Sequence, residues 1–170
     1  NDAELAKRIK VLRDHGQDVK YHHAMIGWNA RMDGIQGAVL RVKLRGLARG
    51  NAARRTNAAL YRECFRGETR VITPVEAGYG QHVYHLYVVR VKQRDRVVQA
   101  LGEKGVGCGI HYPKPIHLQG AYRHLGAGPG SFPVTESCAD EVLSLPMFPE
   151  LTAEQIKTVA HELKALLNAD

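Results

Sequence analysis

Apolar positions recur at helical spacing in some stretches of the chain and crowd together in others. Leu5, Ile9 and Leu12 recur along one face between Asp2 and Asp14, which predicts a helix with Asp2 as N-cap and Gly16 just past its end. Ile35, Ala38, Val39 and Val42 draw a second stripe, predicting a long helix over 34–62 with Asp33 as N-cap. Gly46 and Gly50 weaken its middle by roughly 1 kcal/mol each relative to Ala. A third stripe, Ile156, Val159, Leu163, Leu166 and Leu167, follows Thr152-Ala153-Glu154-Gln155, a capping box that opens a last amphipathic helix.

The crowded stretches read differently. Val83 to Val91 is β-branched and aromatic and predicts a strand; Val106 to His111 predicts a second and Val142 to Leu145 a third, ended by Pro146. Helices are expected over 94–104 and over 133–141, where Pro133 takes the first-turn position that proline tolerates. Residues 17–33 and 67–80 read as irregular or turn-rich, 116–125 as a short helical stretch or loop, and 126–130 as a flexible tip. Tyr112-Pro113-Lys114-Pro115 must be extended or turned, because each proline removes an N–H donor. Helices alternate with few, short strands, so the economical architecture is α+β, a small sheet covered by helices.

At 170 residues the chain is long enough for a packed core, and its 44% hydrophobic content is sufficient to build one. No apolar run reaches the ~20 residues that span a bilayer, and no secretory signal opens the chain. Asn1 is not an initiator Met, so the chain reads as cut from something longer or as a partial open frame. Cys64, Cys108 and Cys138 are far apart and form no metal spacing, which suits a reducing cytoplasm. The net charge of +7 favours anionic partners, either nucleic acid or phosphorylated small molecules. Much of the excess sits between Arg41 and Arg70, where a solvated helix face is the plain explanation, and no nucleic-acid-binding motif accompanies it.

The candidate chemistry lies in two clusters at the ends of regular elements. One is Tyr21-His22-His23 leading to Gly27-Trp28-Asn29-Ala30-Arg31-Met32; the other is Gly109-Ile110-His111-Tyr112-Pro113-Lys114-Pro115-Ile116-His117. Asn and Arg suit phosphate, Arg through its planar fork, and His and Tyr supply hydrogen bonds to a sugar or its phosphates. Adjacent His22 and His23 point apart in most backbones, and no acidic or thiol ligand lies near His111 and His117, so no metal site is expected. Trp28 is expected to be a buried anchor, His85 a satisfied core histidine, and Tyr84 and Tyr87 packing residues.

Taken together, Leu12-Arg13-Asp14-His15-Gly16, Gly27-Trp28-Asn29-Ala30-Arg31-Met32-Asp33, His82-Val83-Tyr84-His85-Leu86-Tyr87, Gly109-Ile110-His111-Tyr112-Pro113 and Leu143-Ser144-Leu145-Pro146-Met147-Phe148-Pro149 stand in an order and spacing that resembles the C-terminal portion of the DegT/StrS family of PLP-dependent sugar aminotransferases. The opening Asn1-Asp2 and Glu4-Leu5-Ala6 fit the same pattern. The resemblance implies a small C-terminal aminotransferase domain over 34–170, with a short, mainly antiparallel sheet covered by helices and preceded by a long helix. Residues 1–33 would be the helix and loop that continue from a large PLP-binding domain outside the chain. It implies amino transfer, usually from glutamate, to a keto sugar carried on a nucleotide, in a homodimer whose sites are completed by the partner's loops. By the same resemblance Asn29 reaches the PLP phosphate in the partner subunit's site, Arg31, in the same loop, faces cofactor or substrate, and His111 and Tyr112 line the sugar side; His22 and His23 are weaker candidates. The Schiff-base lysine, the acid paired with the pyridinium nitrogen and the aromatic stacked on the ring would all precede Asn1, so no catalytic residue is expected here and the chain alone is expected to be inactive. Lys114, between prolines, lacks the desolvated site such a lysine needs. The run Leu47-Ala48-Arg49-Gly50-Asn51 departs from the acidic residues and tryptophan common there in the family. Two other readings stand beside this one: a non-enzymatic remnant of such an enzyme, and a basic nucleic-acid-binding domain.

Overall fold

The structure, a computed structural model, describes residues 1–168. Its elements in order are α1 (Ala3–Arg13), β1 (Gln17–Val19), β2 (His22–His23), α2 (Gly34–Cys64), β3 (Tyr87–Arg90), α3 (Arg94–Glu103), two 3₁₀ turns (Ile116–Leu118 and Gly120–Leu125), α4 (Pro133–Glu141), β4 (Val142–Leu145) and α5 (Ala153–Asn168). They form two compact units. The first is Asn1–Leu47; the second runs from Ala48 onward, and α2 contributes to both. The α+β expectation holds: both sheets are two-stranded and antiparallel, and helices supply most of the rest.

In the first unit, the Asp2 carboxylate accepts the Leu5 N–H at 2.9 Å and caps α1 as expected. At the start of α2 the side-chain bond comes from the other partner: the Asp33 N–H donates to Gln36 Oε1 at 3.0 Å, the reciprocal half of a capping box. The stretch 17–33, expected to be irregular, contains the short β1–β2 hairpin. Gly16 is this unit's one buried residue among those described, and large apolar side chains such as Ile26, Ile35 and Leu44 are exposed.

The second unit carries the core. Tyr61, Tyr87, Val89, Leu101, Leu143, Ile156 and Leu163 are fully enclosed, and the Tyr61 and Tyr87 rings stack at 4.8 Å. On α5 the capping box forms in full: the Gln155 N–H donates to Thr152 Oγ1 at 3.2 Å and the Thr152 N–H to Gln155 Oε1 at 2.9 Å. Its predicted inner face is the observed one, with Ile156, Val159 and Leu163 buried and Leu166 and Leu167 packed against the core.

The β3–β4 ladder pairs Tyr87 with Leu145 and Arg90 with Val142. Single bridges extend it on both sides, Ile72 to Arg90 beyond β3 and Gly109 to Ser144 beyond β4. Two strand expectations therefore shrink. Of 83–91 only Tyr87–Arg90 is strand, because Tyr84 has φ +50° and turns its N–H to His82 Nδ1. The carbonyls of Tyr84 and His85 go to the Arg54 guanidinium, which also holds the Met147 carbonyl at 2.9 Å. Of 106–111 only the Gly109 bridge remains. Tyr84 and Tyr87 are core residues as expected, whereas His85 is exposed.

Part of the basic excess is consumed internally. Arg54 gathers loop carbonyls, Arg55 pairs with Glu76 at 2.6 Å, and the buried Arg94 donates to the Ala139 and Val142 carbonyls at the end of α4. Glu68 steers Arg70, whose other contacts are the Leu167 carbonyl and Asn168 Oδ1 at the end of α5. The hydrogen bond from Arg70 holds the Glu68 carboxyl down to about 2, against its ordinary 4.5. The unfolded chain binds that proton more readily, so this stabilisation is complete above the ordinary value and fades as pH falls from there toward 2. The melting temperature of Glu68→Gln should accordingly fall less steeply than that of the parent between pH 5 and pH 3 (about the span of that titration). Parallel curves would show that the pair does not contribute.

Candidate functional site

Backbone, rather than side chains, positions Asn29. The Trp28 N–H donates to the Leu12 carbonyl at 2.8 Å, the His15 N–H to the Trp28 carbonyl at 2.9 Å and the Ala30 N–H to the Arg13 carbonyl at 2.8 Å. Asp14 and Asn29 form an antiparallel bridge, so residues 28–30 lie along the last turn of α1. The approach is possible because two glycines meet. A Cβ on Gly27 would stand 2.1 Å from the Gly16 nitrogen and 2.6 Å from the Leu12 oxygen, and Gly16 itself has φ +73°.

Asn29 is exposed, and among the described residues its side chain has no hydrogen-bond partner. Arg31 lies 3.6 Å from Asp14 and its side chain is 57% exposed, so the guanidinium keeps most of its donors for another partner. An amide and a guanidinium two residues apart on a fixed turn are donors suited to phosphate oxygens. His23 Nδ1 is spent on the His15 carbonyl at 3.0 Å; His22 is exposed beside it. Trp28, expected to be buried, is 67% exposed, since the first unit has no core to receive it.

His111 and Tyr112 lie in the other compact unit. Gly109 bonds Ser144 in both directions, N–H to carbonyl at 3.0 Å and carbonyl to N–H at 2.8 Å, and this brings the chain to the open edge of β4. His111 then folds back over Gly109, with Nδ1 2.8 Å from the buried Ser144 Oγ. A Cβ on Gly109 would lie 2.7 Å from His111 Cε1, so the glycine makes room for the ring. The Tyr112 ring meets the imidazole edge-on at 5.5 Å and is 74% exposed. The result is an exposed imidazole with one nitrogen held by a buried hydroxyl, next to a phenol: two hydrogen-bonding groups held at a defined spacing.

Sequence reasoning missed Ser144 and the Gly16–Gly27 contact. The signal for Ser144 was there, a single hydroxyl inside the apolar run Val142-Leu143-Ser144-Leu145. Gly16 and Gly27 stand at the edges of the motifs that carry the resemblance, but their meeting across a turn is a tertiary fact. Lys114 is exposed between its prolines. Burial pushes the Cys108 thiol up to about 11, so it stays protonated and unreactive at neutral pH. Among the described residues no trio of His, Cys, Asp or Glu is placed to hold a metal ion, and no helix is long and apolar enough to cross a membrane.

Comparison with known proteins gives a consistent picture. The model of the DegT/DnrJ/EryC1/StrS aminotransferase family matches residues 1–164. The erythromycin biosynthesis sensory transduction protein EryC1 of Saccharopolyspora erythraea is 46% identical over 164 residues, covering 96% of this chain and 45% of that protein. The UDP-N-acetyl-3-dehydro-alpha-D-glucosamine 3-aminotransferase of Acidithiobacillus ferrooxidans is 39% identical over 98% of this chain and 44% of its own length. Among solved structures, DesV of S. venezuelae in complex with a ketimine intermediate superposes with a TM-score of 0.91 at 38% identity, over 97% of this chain and 44% of that one. The chain thus spans less than half the length of the relatives it matches.

Proposed function

Because the chain belongs to the DegT/DnrJ/EryC1/StrS aminotransferase family, we propose that it forms the C-terminal part of a PLP-dependent enzyme that moves an amino group, from glutamate, onto a nucleotide-linked keto sugar. The observation that carries the reading is the Asn29 turn: an exposed amide with no side-chain partner among the described residues, held in place by backbone bonds, with the Arg31 fork beside it. That donor set fits a phosphate monoester such as the one on PLP. When bound, PLP supplies the electron sink for amino transfer.

The chain's own residues bind and orient. Asn29 donates its amide N–H to a phosphate oxygen, and Arg31 offers its fork to cofactor or substrate. His111, oriented by Ser144, and Tyr112 hydrogen-bond the acceptor sugar. The reading assigns the cofactor-anchoring lysine to residues outside this chain, so these residues alone do not carry out the transfer. It also includes a homodimer, and the apolar side chains exposed on the first unit, which has almost no interior of its own, are the surface a second copy would cover.

In the PLP-loaded enzyme, Asn29→Ala should weaken cofactor retention by one to two orders of magnitude, since a hydrogen bond to a charged group contributes about 1.5–3 kcal/mol. Equilibrium dialysis followed by cofactor absorbance measures it. Mixed dimers of variant and parent subunits should show the defect in the opposite subunit's site. Unchanged retention in Asn29→Ala would remove the phosphate role.

A further inference from the structure

Glu136, in the first turn of α4, gathers the loop ahead of that helix. Its Oε2 accepts the Gly130 N–H at 2.8 Å, and its Oε1 accepts Gly130 at 3.0 Å and Phe132 at 3.1 Å. His117 Nε2 lies 2.9 Å from the same Oε1. The backbone bonds from Gly130 and then Phe132 hold the carboxyl below its ordinary range, so the acceptor is an anion and His117 Nε2 is the donor. The His117 side chain is only 9% exposed, and its ring meets Phe132 edge-on at 4.8 Å. Gly130 has φ +84°, which lets its N–H face the carboxylate.

One carboxylate therefore ties the outgoing and returning ends of the segment that leaves Tyr112 and re-enters the fold at Pro133. The segment has little other support: neither 3₁₀ turn within it buries a residue, and Ile116 and Leu125 are exposed. Pro113 and Pro115 restrict the few backbone bonds between Tyr112 and His117.

We propose that His117 and Glu136 are positioning residues: their bond, with the two amides Glu136 collects, fixes the 113–132 segment and so holds His111 and Tyr112 in the pose that meets the acceptor sugar. The inference rests on the sugar-side reading of His111 and Tyr112. Neither His117 nor Glu136 acts on the reacting atoms.

The test uses two readouts. In Glu136→Ala, amide exchange at Gly130 and Phe132 should rise about tenfold or more, as a loop freed of its bonds opens locally. In the PLP-loaded enzyme the KM for the keto sugar should rise while the amino-donor step is unchanged. His117→Ala should move both readouts the same way, and His117→Gln, which still offers an N–H to Glu136, should restore them toward the parent. Unchanged exchange in Glu136→Ala overturns the proposal. So does raised exchange with an unchanged sugar KM when His111→Ala does raise it, and so does an equal loss in both steps with a lowered melting temperature. If His111→Ala also leaves the sugar step untouched, the sugar-side reading itself fails and the positioning role falls with it.

Discussion

Replacing Gly27 by alanine is expected to release the Asn29 turn and to cost at least as much cofactor retention as removing the Asn29 side chain. The three atoms nearest to a Cβ on Gly27 are all backbone: the Gly16 nitrogen at 2.1 Å, the Leu12 oxygen at 2.6 Å and the His15 carbonyl carbon at 2.7 Å. No rotamer change relieves such a clash, so residues 27–30 must lift away from α1. The bonds Trp28 to Leu12, His15 to Trp28 and Ala30 to Arg13 then go together. At about 1 kcal/mol each they amount to some 3 kcal/mol of local order, and Asn29 and Arg31 lose their common frame. The direct observable is amide exchange at Trp28 and Ala30, which should lose its protection; the functional one is cofactor retention in the loaded enzyme. Protected amides with retention equal to the parent would mean that the turn does not depend on the Gly16–Gly27 approach.

That case also marks where sequence stops informing structure. Caps and periodicity are local, and α1, α3, α4 and α5 came out close to where the pattern put them; on α5 even both halves of the capping box formed. Val142–Leu145 also formed as expected, but the other two strands shrank, because a β-rich composition describes burial as much as pairing. Tyr84 and Leu86 belong to the same β-branched and aromatic run as Tyr87, yet the Arg54 fork claims the carbonyls at 84 and 85 and leaves no ladder there. Arg54 lies 30 residues away in sequence, and nothing in the segment itself announces it. The candidate site divides along the same line. Asn29, Arg31, His111 and Tyr112 are visible as residue types in motifs, and Ser144 stands out as a lone hydroxyl in an apolar run, but the meeting of Gly16 with Gly27 and of Ser144 with His111 is visible only once the chain is folded. Exposure was misjudged where a neighbour was assumed: Trp28 and His85 were expected inside and lie outside.

The second large effect is expected in the second unit, in Gly109→Ala and Ser144→Ala. These act on the same side chain by different routes. A methyl group on Gly109 would stand 2.7 Å from His111 Cε1 and 3.4 Å from Nδ1, so the imidazole has to swing out, and it leaves Ser144 Oγ when it does. Ser144→Ala removes the hydrogen-bond partner without pushing the ring. In both, His111 keeps its chemistry and loses its place, and a displacement of about 1 Å in a substrate-orienting group costs on the order of 100-fold in rate. The keto-sugar step should fall by up to that factor while the amino-donor step stays near the parent; the absorbance of the cofactor follows the two steps separately. Because both changes remove one and the same orientation, Gly109→Ala combined with Ser144→Ala should be little worse than the stronger single variant, a clear departure from additivity. His111→Ala sets the floor that neither should pass. Equal losses in both steps, together with a lowered melting temperature, would instead make the His111–Ser144 bond a brace for the edge of β4, and the sugar-side role would have to be sought in Tyr112 alone.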